Sequence, residues 1–294
     1  MSRWILASLL LADRGVTIQS EPVRKVDFKE APEMREVAAE VRRVGNEMYP
    51  AVLAILSDGK SRLPEQFDVV FKKEIPSDIP ARTSGKTVYL NARYFALIKW
   101  MQTNTDLLDR DPKLVENILV HEMAHVTQRY RRSKAPVFWA EGIADYVRYK
   151  LDGTNGPTCP QCSFQYPHYS SGYWCLGAFL LHLDATYGSN VVRDLNSELR
   201  RGRYTDGYFG QAVGKSLGEL WAEFQDTPAF TPVAAEIPFS RTFHTQKNSD
   251  PSMLYHYLVV RRSADDPWKI EKAWRTGPDA RVIEEFEVQS NSSE

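Results

Sequence analysis

Residues 111–130 read DPKLVENILVHEMAHVTQRY, and the organisation of the chain can be worked outward from them. Asp111 offers an N-cap and Pro112 a favoured first-turn proline, which predicts a helix reaching about Tyr130. Inside it stands His121-Glu122-Met123-Ala124-His125, a His-Glu-x-x-His pattern. Helical residues four apart project from one face about one turn apart, so both imidazoles can reach one ion with Glu122 beside it. Leu114, Ile118, His121 and His125 share that face, so the histidines continue an apolar stripe and the ion is expected at the edge of the core.

Zinc suits neutral imidazole ligands, and a catalytic zinc takes three protein ligands and keeps one position open for water. The third ligand must then come from another element. Glu141 is the strongest candidate: it follows His125 by sixteen positions, on a second helix expected over roughly Pro136–Leu151 and ended by Gly153. Gly142 and Ala144 are expected to keep this helix slim, so that its backbone approaches the histidine helix closely. Asp145 lies one turn beyond Glu141, placed to accept a hydrogen bond from the outer N–H of a ligand histidine. Zinc would lower the pKa of water to about 7, with Glu122 as the base that takes the proton and returns it to the departing amine. Tyr173 is the candidate donor to the oxyanion, with His168 a less favoured substitute. The chemistry expected is that of a zinc metallopeptidase.

Around this centre the patterns predict an α+β fold with a small N-terminal sheet and a mainly helical second half. Val23, Val26 and Phe28 punctuate one short strand, QFDVVFK (Gln66–Lys72) reads as a second, and KTVYLN (Lys86–Asn91) as a third after a Ser84-Gly85 turn. A long helix is expected from Ala31-Pro32 to about Leu56, kinked or split at Pro50. Further helices are expected from Ser170 to Tyr187 and from about Asn190 to Arg201. Another opens with the capping box Ser216-x-x-Glu219. Pro228, Pro232 and Pro238 mark a linker, after which Leu254–Arg261, Trp268–Trp274 and Val282–Val288 read as three strands of a meander. The expected division is a leader over 1–20, a catalytic domain over 21–227 and a linker with a β-rich extension over 228–294.

Composition narrows the partners. A formal net charge of -1 with 26% charged residues gives no cause to expect nucleic acid or an acidic membrane as a partner. Arg3 followed by the apolar run Trp4–Ala12 fits the core of a signal peptide and falls far short of a membrane span, although a buried first helix fits the same residues. The expectation is a secreted or periplasmic protein acting on a peptide or protein substrate. Cys159-Pro160-Gln161-Cys162, with Cys175 and His168, resembles half of a structural zinc site. A local disulfide or buried thiols in an insertion are favoured over it.

The runs HEMAHVTQ (121–128), WAEGIADYVR (139–148), GYWCLGAFLLHLDATYGSNVVRDLN (172–196) and GKSLGELWAEF (214–224) together resemble the basic secretory protein family, the peptidases of plants and bacteria. The similarity extends over about Val23–Phe224. It implies a zincin-like metallopeptidase fold and export, with His121 and His125 as zinc ligands, Glu122 as base and residues 141–146 as the family's downstream element. The chain departs from the family's name in not being basic, and the cysteine-bearing insertion and C-terminal strands look peculiar to this branch. Two other functions stay in view: a zincin-fold binding protein without useful turnover, and a hydrolase of a non-peptide amide.

Overall fold

A computed structural model describes residues 21–76, 79–104, 113–130, 136–152, 168–170 and 173–227, and four strands within 239–286. Strand β1 (Val23–Asp27) leads through a short 3-10 turn at Pro32–Met34 into helix α1 (Arg35–Leu56). Strands β2 (Phe67–Lys72), β3 (Ala81–Ser84) and β4 (Thr87–Asn91) complete a sheet of order β1-β2-β4-β3, in which β1 and β2 run parallel. Helices α2 (Ala92–Asn104), α3 (Leu114–Gln128), α4 (Val137–Asp152), α5 (Tyr173–Tyr187), α6 (Asn190–Arg201), α7 (Tyr208–Val213) and α8 (Leu217–Gln225) follow. The result is a small mixed sheet with a mostly helical remainder, an α+β fold. The C-terminal region forms an antiparallel meander of β5 (Phe239–Gln246), β6 (Leu254–Arg261), β7 (Lys269–Thr276) and β8 (Val282–Phe286).

The chain gathers into two compact units. The first holds Met1–Val70, Ala81–Tyr89 and Pro112–Val233; the second holds Phe71–Pro80, Leu90–Asp111 and Ala234–Glu294. Residues 1–20, with the expected leader, and Asp111-Pro112, with the expected cap, lie outside the described residues.

Local rules account for most of these elements. Alternating burial along β2, with Phe67, Val69 and Phe71 inside, is the period-two pattern of a half-buried strand. Gly85, at φ 62°, takes the left-handed position in the two-residue turn between β3 and β4, where a side chain would be strained. The capping box of α8 forms as expected: the Glu219 N–H donates to Ser216 Oγ and the Ser216 N–H donates back to Glu219 Oε2 at 2.8 Å. Helix α1 runs unbroken through Pro50, so it is not split there. Its flanking residues Met48, Tyr49, Ala51, Val52 and Leu53 are all buried, and packing against α3 compensates for the lost backbone hydrogen bond. Gly45 makes this packing close: a Cβ there would lie 2.4 Å from Val23 Cγ2 of β1 and 3.6 Å from Leu119 Cδ2 of α3.

Among the described residues, Asp58 is the electrostatic anchor between α1 and α6. Its carboxylate accepts from the Ser61 N–H at 2.7 Å, the Lys60 N–H at 3.0 Å and the Arg201 guanidinium at 2.9 Å, and Ser197 Oγ also donates to it. Burial works to raise the Asp58 pKa, and the hydrogen bonds from Ser197, Ser61 and Lys60 outweigh it and hold it well below the usual carboxylate range. A carboxylate depressed on folding adds stability that is complete above its unfolded value of about 4 and is lost as pH falls below that value towards the folded one. Denaturant titrations from pH 6 down to pH 2 will therefore show an acid-side fall in stability for the wild type. Asp58→Asn will be less stable at pH 6 by about 1–3 kcal/mol and will show a flatter fall. An unchanged pH profile in the variant would remove Asp58 from this role.

Candidate metal centre

Helix α3 is buried on most sides. Leu119, Val120, Met123, Ala124, Val126 and Thr127 are inside, while Leu114, Ile118, His121 and His125 form a half-buried face. The expected stripe is therefore the margin of the core rather than its centre, which leaves the imidazoles packed yet reachable. The rings of His121 and His125 lie 4.8 Å apart at an interplanar angle of 79°.

Helix α4 brings Glu141 to the same place. Trp139, fully buried among the rings of Phe138, Tyr169, Tyr204 and Phe209, fixes the helix just before it. Glu141 Oε2 stands 3.1 Å from His121 Nε2 and 3.5 Å from His125 Nε2, and the two Nε2 atoms are 3.1 Å apart. On the far side of His121, Nδ1 lies 3.0 Å from Asp145 Oδ1, and Arg148 holds that oxygen at 3.1 Å. A carboxylate oxygen only accepts, so His121 carries a proton on Nδ1, and Nε2 is the ring nitrogen that faces His125 and Glu141 and is left to offer a lone pair to an ion there.

Gly142 on α4 serves a different partner from the one expected. A Cβ at Gly142 would lie 2.4 Å from Leu176 Cγ on α5, and one at Gly177 of α5 would lie 2.7 Å from Asp145 Cβ. The close approach is between α4 and α5. Successive helical residues step about 100° around the axis, so Gly142 cannot share the direction in which Glu141 and Asp145 reach α3.

Two further polar residues were not picked out in the sequence. Gln128, buried at the end of α3, has Oε1 2.8 Å from His125 Nδ1 and donates through Nε2 to the Ala140 carbonyl at 2.7 Å. Helix spacing of three residues from His125 was the available signal. Thr83 on β3 donates through its hydroxyl to Glu122 Oε2 at 2.6 Å, and Glu122 is itself buried. No local pattern links residues 39 positions apart.

Two nitrogen lone pairs and a carboxylate oxygen within 4.8 Å of one another form a donor set that could hold a metal ion. Among the protein groups alone, burial works to lower the His121 pKa, and the hydrogen bonds to Asp145 and Glu141 outweigh it, pushing it up to about 10. Burial likewise works to raise the Glu141 pKa, and hydrogen bonds from His121 and His125 hold it well below the carboxylate range. Positive charge is favoured among these atoms, which is what a bound cation needs.

Other expected residues fare differently. Tyr173 opens α5, but its side chain lies outside the described residues, as do Cys159 and Cys162. Cys175 is buried and disulfide-bonded, so it does not offer the thiolate that a structural zinc site would take. His168 Nδ1 accepts from Ser170 Oγ at 2.6 Å on the surface. Among the described residues no helix is long and apolar enough to cross a membrane.

Comparison with curated proteins and with solved structures gives no match. Comparison with protein families gives one over residues 47–224, more than half of the chain and inclusive of every residue of the cluster, to BSP, "Peptidase of plants and bacteria". With the pattern His121-Glu122-x-x-His125, the downstream Glu141 and Asp145 and the family match all falling on one stretch, the chain belongs to the basic secretory protein family of peptidases.

Proposed function

We propose that the chain is a zinc-dependent, zincin-like metallopeptidase, with His121, His125 and Glu141 as zinc ligands, Glu122 as general base and acid, and Asp145 orienting His121. The observation that carries this reading is the convergence of both Nε2 atoms and Glu141 Oε2, with Glu122 next to His121 in the sequence. When bound, zinc would supply Lewis-acid polarisation of the scissile carbonyl and acidification of the attacking water. Glu122 takes that water's proton as it attacks and passes it to the departing amine. Its burial strengthens the proton-transfer interactions by keeping bulk water away, and the Thr83 hydroxyl fixes the direction of its carboxylate. Tyr173, at the start of α5, is assigned the hydrogen bond to the developing oxyanion. Residues 21–227 carry the catalytic domain, and residues 228–294 a linker and extension. The apolar run after Arg3 and the family's secretory name support export to the periplasm or the cell exterior.

The test uses the full purified chain. It should bind one zinc ion, cleave a mixed peptide library, lose cleavage on chelation and regain it when zinc is restored. Stoichiometric zinc without cleavage of any peptide would overturn the reading and favour a binding role for the fold.

A further inference from the structure

The strongest unassigned feature near the site is the Gln128 amide, because both of its ends are engaged by groups that leave it no freedom. The Ala140 carbonyl can only accept, so the atom facing it at 2.7 Å must be the Nε2 donor. That orientation turns Oε1 to His125 Nδ1 at 2.8 Å, and an amide oxygen can only accept, so His125 carries its proton on Nδ1. Nε2 of His125 is then the nitrogen left to offer a lone pair to an ion, on the side that faces His121 Nε2 and Glu141 Oε2, 3.1 and 3.5 Å away. A glutamine free to flip its amide would permit either tautomer. This one is locked from behind by a backbone carbonyl.

The lock has a second consequence. Ala140 immediately precedes Glu141, so the hydrogen bond that orients the Gln128 amide also ties the end of α3 to the turn of α4 that carries the third donor. Gln128 is 2% exposed, and its own backbone carbonyl accepts from Arg200 Nε at 3.3 Å, so the side chain works from a fixed base. Asp145 performs the equivalent service for His121 with a carboxylate.

We propose that Gln128 is a positioning residue of the metal centre, which sets the His125 tautomer for metal binding and holds the His125 and Glu141 donors at a common distance. The proposal rests on the metal-site reading above, and its test is separable from it because the readout is affinity for zinc rather than cleavage. Metal-free wild type, Gln128→Leu and Gln128→Glu are titrated with zinc against a chromophoric chelator, with thermal unfolding of each metal-free form as a control. Gln128→Leu, similar in size but unable to accept, should bind zinc about 10–100-fold more weakly. Gln128→Glu keeps an acceptor for Nδ1–H and loses the donor to Ala140, so it should lie between the two. Nitrogen-15 NMR of zinc-loaded wild type should show the His125 proton on Nδ1 and the metal on Nε2. Equal zinc affinities in wild type and Gln128→Leu would overturn the proposal, as would metal on Nδ1. A wild type that binds no zinc would instead overturn the metal-site reading itself.

Discussion

Glu122→Gln will cleave peptides about 10²–10⁴-fold more slowly than wild type, with zinc content and unfolding temperature unchanged. The substitution keeps the shape of the side chain and an oxygen to accept from Thr83 Oγ1, so the buried position is still satisfied. What it removes is a group able to take a proton at neutral pH. Because the lost interaction exists in the transition state and not in the bound substrate, kcat and kcat/KM should fall together while KM stays close to wild type. Steady-state kinetics on a single cleaved peptide, with metal analysis of the same preparation, checks both halves. Undiminished cleavage by the variant would assign the base elsewhere.

The second large effect belongs to Glu141. Substitution by alanine leaves two imidazoles and no third donor, and zinc affinity should fall by more than the roughly 10–100-fold associated with losing an outer hydrogen-bond partner. The Glu141 side chain is 26% exposed, so the fold should tolerate its loss, and circular dichroism of the metal-free variant should match wild type. Competition with a chelator measures the affinity, and activity at limiting zinc should track it. Zinc affinity equal to wild type would remove Glu141 from the ligand set, and with it the present account of the site.

The site was readable where its geometry is local. His121, Glu122 and His125 lie within one helical turn, so their spacing alone puts them together, and Glu141 with Asp145 repeats that logic on the next helix. Thr83 was invisible because its role depends on how β3 is placed beside α3, and no periodicity within ARTS encodes that. The strand is four residues long with one buried apolar position, too little to show alternation. Helix α2 was missed despite a local signal: Asn91 Oδ1 accepts from the N–H groups of Arg93 at 3.1 Å and Tyr94 at 3.3 Å, as an N-cap does. The asparagine ends a strand and caps a helix at once. Strand β5 was hidden in the same way, since FSRTFHTQ follows a proline-rich stretch and carries few aliphatic residues. Three strands of the meander were expected and four are present.

The glycine seam between α4 and α5 gives the centre a dependency that its donor atoms do not reveal. Among the described residues, helix α5 contributes no donor to the candidate metal cluster, yet a single methyl group at Gly177 would press on the Asp145 side chain at 2.7 Å and through it turn the His121 ring. Changes accepted on that helix are thus filtered by the orientation of an imidazole on another, and a survey of variants ranked by zinc retention would trace the outline of a helix whose described residues supply none of the donor atoms.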